Sequence, residues 1–243
     1  MHLLTVSVRL GAAGRWVRNT RAAAIFVALA ALQLAPNPVL AVANSPTPAA
    51  PAATDAAVPA DFTLDGFRSA KFGMTQDKVK AAIKADFGLS GDDITPGTNA
   101  AERTQLLTVT VPDLLPDGGK AQVSYVFGYT SKALIQVGIS WSATIDPTVD
   151  AAKLYADSDV LVAYFTAAGY DPATIRTGVV TPNGILLFRG EDKGGHATIL
   201  LLQGDYVGGG DSTQKVLKPS SLALLYAADS KSPDIFKVEP GKF

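Results

Sequence analysis

His196 is one of two histidines in the 243-residue chain, and the other, His2, stands at the extreme N-terminus. A serine hydrolase would need His196 as its base and a serine on a Gly-x-Ser-x-Gly turn, and the sequence has no such turn. There is no cysteine, which excludes thiol catalysis and disulfides and leaves zinc without a workable ligand set. His196 opens a strand after Gly194-Gly195 and reads as a solvated strand-end residue. Carboxylates cluster at Asp92-Asp93, at Asp157-Ser158-Asp159, and at Asp205 with Asp211. None of these has the spacing of a calcium loop, so all three read as solvated loop acids. Asp205 and Asp211 are the pair on which a hydrolase reading would depend. The run Gly208-Gly209-Gly210-Asp211-Ser212-Thr213 could cradle a phosphate, but it lacks the P-loop lysine, and Pro219 follows instead of a helix. No catalytic residue, metal site or cofactor is assigned.

What remains is a surface. Residues 121–141 read as a β-hairpin with apolar side chains at every second position. Val123, Tyr125 and Phe127 in one arm, and Ile135, Val137, Ile139 and Trp141 in the other, form the expected core face. Opposite them stand Gln122, Ser124, Gly128, Gln136, Gly138 and Ser140, with Val126 the one apolar exception. Small hydroxyl and amide side chains make a smooth hydrogen-bonding face on which a partner could lie, although the solvated back of an antiparallel sheet has the same pattern. Gln122, Ser124, Gln136 and Ser140 are the candidate binding residues.

The rest of the chain must position that hairpin. Arg9, Arg15, Arg18 and Arg21 precede an apolar run over residues 22–35, and Ala41-Val42-Ala43 offers a small-residue cleavage site. This is a secretory leader over residues 1–43, too short for a comfortable membrane span. Its removal takes four arginines and no acid, so the remainder has net charge −5 and no electrostatic case for nucleic acid or an anionic membrane. Residues 44–60 are rich in proline and alanine with one charge, and read as a disordered spacer. One domain over residues 61–243 follows.

Within it, residues 76–87 should be an amphipathic helix with Thr75 as its N-cap and Gly88-Leu89 as its stop. A second helix should start at Asp146-Pro147 and run to Gly169, kinked or split at Asp157-Ser158-Asp159. Strands are expected at residues 104–111, in the two hairpin arms, and at 177–181, 185–189, 196–203 and 221–227. Residues 204–219 read as a mobile loop, and 230–243 as a surface tail. The expected architecture is α+β: an antiparallel sheet of about six or seven strands with two helices on one face, laid out as two similar helix-then-strands halves.

Phe72-Gly73-Met74-Thr75, followed by Val79, resembles the entry to the first helix in small bacterial envelope proteins. These include the small lipoprotein subunit of the barrel-assembly machinery and the related β-lactamase-inhibitor-protein fold. The lipidation cysteine of the former and the paired cysteines of the latter are both missing here. The resemblance implies a binding scaffold with no catalytic residues to carry over. The expected function is an exported, soluble, non-enzymatic binding or assembly module of the periplasm, acting on a protein partner in the cell envelope. A small-molecule or lipid carrier, with its ligand between sheet and helices, and a hydrolase using Asp205 and Asp211 are the alternatives. The oligomeric state is not legible.

Overall fold

The computed structural model describes residues 62–208, 215–238 and 241. The leader, the spacer, Asp61, the tip residues Gly209, Gly210, Asp211, Ser212, Thr213 and Gln214, and Glu239, Pro240, Lys242 and Phe243 of the expected tail lie outside the described residues. The chain opens with a two-stranded ribbon, β1 (Gly66–Phe67) and β2 (Ala70–Lys71), followed by α1 (Gln76–Phe87). Four strands come next: β3 (Thr95–Asn99), β4 (Thr104–Val111), β5 (Ala121–Phe127) and β6 (Leu134–Ser142). Then α2 (Ala151–Ala167) leads into β7 (Val179–Thr181), β8 (Gly184–Glu191), β9 (Ala197–Gly208) and β10 (Lys215–Ala227). Eight strands form one antiparallel sheet in the order β3-β4-β5-β6-β10-β9-β8-β7. The fold is α+β as expected, with one or two more strands in the main sheet and the β1-β2 ribbon in addition. Each helix precedes a four-strand meander, and the last strands of the two meanders pair at the centre of the sheet.

Both helices share one hydrophobic core with one face of the sheet. Val79 and Ile83 of α1, and Leu154, Leu161 and Phe165 of α2, bury against a row that crosses six strands: Val109, Val123, Ile139, Leu224, Leu200 and Phe188. A second row ends at Gly190, where an added Cβ would come within 2.8 Å of the Tyr170 ring. Glycine there admits Tyr170, whose hydroxyl meets the Thr198 hydroxyl at 2.5 Å. The β1-β2 ribbon sits over the central strands, with Phe67 stacked on Tyr226 at 5.8 Å. Among the described residues no helix is long and apolar enough to cross a membrane.

α1 ends as expected. Gly88 is left-handed at φ 72, its amide donates to the Lys84 carbonyl, and Leu89 packs back on the core. Thr75 stands at the N-cap position, but its side chain makes no capping bond.

Several expectations need correction. Ile135 is not in the core: a bulge after Val126 pairs Phe127 with Leu134, and Leu134 takes the inward position. α2 is capped by Asp150, whose carboxylate accepts from the Lys153 amide at 2.9 Å. Asp146 instead closes the preceding turn. The amides of Lys120 and Thr148 and the Thr148 hydroxyl all donate to it, which holds its carboxyl down to about 2. α2 is a single helix of 17 residues, and Asp157-Ser158-Asp159 lies inside it rather than in a loop. The expected mobile loop 204–219 is largely ribbon, since β9 runs to Gly208 and β10 begins at Lys215.

The expected surface tail packs back over one end of the sheet. The Phe236 amide donates to the Glu102 carbonyl at 2.9 Å, and the Arg103 guanidinium lies 3.7 Å from the centre of the Phe236 ring. Asp234 accepts from the amides of Thr130 and Ser131 in the β5-β6 turn. Burial would raise its carboxyl, but these bonds prevail and hold it down to about 2.

Asp157 is buried against Gly118 with its Oδ2 unpartnered, and desolvation raises its pKa despite the charge of Lys153. A carboxyl whose folded pKa is raised adds stability below its unfolded value, about 3.9, that is lost as pH climbs through the folded value. Asp157→Asn should therefore match the parent in Tm near pH 3.5 and exceed it at pH 7. Thermal unfolding across that range checks this, and a variant less stable at pH 7 would refute the burial argument.

Candidate functional site

The face of the sheet turned away from the helices is the candidate site. Strand register places its side chains in three rows across β4, β5, β6, β10, β9 and β8. The first is Thr110, Gln122, Ser140, Ala223, Leu201 and Leu186; the second is Thr108, Ser124, Gly138, Leu225, Ile199 and Arg189. The third is Leu106, Val126, Gln136, Ala227, Ala197 and Glu191. All four candidate residues are on it. Gln122 lies directly opposite Ser140, Ser124 opposite Gly138, and Gln136 opposite Val126. All four are half-buried, and the Ser124 hydroxyl lies 3.3 Å from that of Thr108.

This face is not uniformly polar. Over β4–β6 it is mostly hydroxyl, amide and glycine, whereas over β8–β10 it is aliphatic. Ala223, Leu225, Ala227, Ala197 and Leu186 are each 6 % exposed or less, without belonging to the core beneath the helices. The signal was present in the sequence. Ile185-Leu186-Leu187-Phe188, Ile199-Leu200-Leu201-Leu202 and Leu222-Ala223-Leu224-Leu225 are apolar at both parities, the mark of strands buried on two faces. At the boundary, Ser140 Oγ and Ser142 Oγ are buried with no hydrogen-bond partner. An unpartnered buried hydroxyl is unfavourable by about 1–3 kcal/mol, so these atoms are poised to meet a donor or acceptor. The only charged side chains in the three rows, Arg189 and Glu191, pair with each other at 2.5 Å.

Glu191 begins a charged corner at the same end of the sheet. It also meets Lys231 at 3.0 Å and the Ser230 hydroxyl at 3.2 Å. Burial raises its carboxyl, but Lys231 and Arg189 outweigh that and hold it below the usual range. Its neighbour Asp192 is 1 % exposed and accepts from the Leu64 amide at 2.8 Å, the His196 amide at 2.9 Å and the His196 imidazole at 3.0 Å. Here too burial pushes up while those bonds push further down, leaving the carboxyl lowered. His196 is thus not a solvated strand-end residue. With Phe72 5.5 Å from its ring, it helps Asp192 fasten the entering chain to the β8-β9 turn.

The remaining carboxylates do not converge. Asp93 accepts from the Ser90 amide in a short 3-10 turn. Asp205 is exposed beside Tyr206 and Lys215 in an open cleft of about 690 Å³ at the β7 margin, and its proposed companion Asp211 lies outside the described residues. A second cleft of about 300 Å³ lies at the β3 margin, lined by Gln76, Pro96, Gly97, Thr98, Gln105 and Leu106. Between sheet and helices, where a carrier would hold its ligand, Phe165, Tyr170 and Phe188 stack within 5.2–6.4 Å of one another.

Comparison with protein-family models, with curated proteins and with solved structures found no match for the chain.

Asp192→Ala leaves the buried Leu64 amide and the two part-buried His196 donors without their acceptor, and should lower stability by about 2–3 kcal/mol. Urea unfolding measures this, and a loss below about 0.5 kcal/mol would mean that the carboxylate does not anchor the entering chain.

Proposed function

We propose that the protein is an exported binding module whose protein partner seats on the sheet face away from the helices. The contact centres on Gln122, Ser124, Gln136 and Ser140. The observation that carries this reading is the split character of the face, with hydroxyl and amide side chains on one half, aliphatic side chains on the other, and an unpartnered buried hydroxyl, Ser140 Oγ, where they meet. Interfaces combine those ingredients: apolar area supplies affinity, and a few placed polar groups set register. The face has no unpaired charge, which favours a neutral partner surface over a strongly charged one. Residues 1–43, with their arginines, apolar run and small-residue end, support export, and the periplasm of the cell envelope is the compartment this reading takes.

An arginine placed on the face would put a desolvated charge into the contact, an effect of several kcal/mol when no partner charge meets it. Ser124→Arg and Ser140→Arg should each abolish capture of the same envelope protein in a pull-down from envelope extract, while circular dichroism stays unchanged. Retention of that protein by both variants would remove the sheet face from the reading.

A further inference from the structure

α2 has three charged residues in 17, Lys153, Asp157 and Asp159, and Asp157 is buried. α1, by contrast, is 12 residues long and turns Asp77, Lys78, Lys80 and Lys84 to water. A helix that is apolar all round is one that packs on both sides. The inner side of α2 is in the core through Leu154, Leu161 and Phe165. On its outer side Tyr155 is 42 % exposed, Val160 57 % and Tyr164 64 %. Both tyrosines are held in place. The Tyr155 hydroxyl donates to the Leu217 carbonyl at 3.0 Å, and the Tyr164 ring meets that of Phe165 edge-on at 5.1 Å.

We propose that this outer face docks on the same face of a second copy of the chain, the two α2 helices lying antiparallel about a two-fold axis. The face is symmetric from end to end, with its midpoint between Asp159 and Val160. Ala156 and Ala163 are equidistant from that point, as are Ala152 and Ala167, and all four are exposed. At 3.6 residues per turn they lie within about 60° of arc, a seam along the centre of the face. Tyr155 and Tyr164 are also equidistant from the midpoint, one on each flank. A two-fold contact requires this kind of self-complementarity, in which residue i meets j and j meets i. About the midpoint, Ala156 of each copy faces Ala163 of the other, and Ala152 faces Ala167.

Alanine along the seam lets the two helix axes approach to about 8 Å, the close end of the range for packed helices. Antiparallel alignment sets the positive N-terminal end of each helix dipole beside the negative C-terminal end of the other, which a parallel pair would not do. Area limits the strength of the contact. The face is about 25 Å long and 10 Å wide, so two of them bury roughly 500 Å², below the ~1,000 Å² of a stable interface. Asp159 of each copy also comes beside the axis, where like charges repel. The dimer is therefore reversible and concentration-dependent. An anionic membrane surface suits the face poorly, because Lys153 is the only cation on the helix.

The chain has no cysteine, so introduced thiols read this geometry directly. The double variant Ala156→Cys, Ala163→Cys should oxidise to a disulfide-linked dimer about tenfold faster than either single variant. Within one helix the two positions are about 10 Å apart, too far for a disulfide, and across the axis the same holds for two copies of either position. In sedimentation velocity the exported chain should associate as its concentration rises. Ala156→Arg, which puts a charge into the seam, should abolish that association, and Asp159→Asn should tighten it about tenfold, with circular dichroism unchanged in both. Single cysteine variants that cross-link as fast as the double would overturn the antiparallel seam. Association that Ala156→Arg leaves intact, or a chain that stays monomeric even with Asp159→Asn, would overturn the docking face altogether. Loss of association in Ser124→Arg would place the contact on the far face of the sheet and overturn it equally.

Discussion

The pairing of β6 with β10 is the contact on which everything else depends. Seven residue pairs, from Ser142 opposite Ser221 to Gln136 opposite Ala227, join two four-strand meanders that are far apart in sequence. Without them each half would carry one helix on a small open sheet, too little to bury the aromatic side chains now shared between halves. Through this seam Ile139 meets Leu224 and Val137 meets Tyr226, so the core beneath the helices is continuous. The same seam makes the opposite face continuous. It sets Ser140 beside Ala223 and Gly138 beside Leu225, and so creates the line where hydroxyl and amide surface meets aliphatic surface.

Two carboxylates hold the ends of this sheet in place by accepting several donors at once. Asp192 ties the entering chain at Leu64 to the β8-β9 turn, and Asp234 ties the C-terminal tail to the β5-β6 turn. In each case backbone amides, which would otherwise go unpaired at a loop, are satisfied by a side chain from a distant part of the sequence. Both carboxyls are lowered because the charged form accepts those bonds, and both keep their hold across neutral pH. Asp157 is the contrast. It is a carboxyl buried beside Gly118 with one oxygen unpartnered, and its pKa moves the other way.

Local pattern was a good guide wherever one face of an element met water. α1 was legible to its last residue because Gly88-Leu89 is a stop with a defined geometry and Val79 and Ile83 fall on one face. Alternation placed the strand of Val123, Tyr125 and Phe127 correctly, and with it the four polar residues of the candidate site. It failed where a bulge broke the count, exchanging Ile135 for Leu134. It also failed at Asp146, which has the residue type of a helix cap but spends its oxygens on a turn four residues before the actual cap, Asp150. Glycine at 204 and 208 and proline at 219 suggested a loop, yet the backbone there pairs as ribbon, because Gly204 admits the close approach of the Lys218 carbonyl.

Composition and spacing alone settled that this chain has no cysteine chemistry and only one histidine beyond the N-terminal segment, and that its domain mixes amphipathic helices with alternating strands. Those are properties of residue type and of short-range periodicity. Which strands neighbour one another depends on contacts between residues far apart in the chain, and no local period encodes them. The partners of β6 and β10, the aliphatic half of the far face and the fastening of both chain ends by Asp192 and Asp234 arise only when the two meanders meet and their register is set.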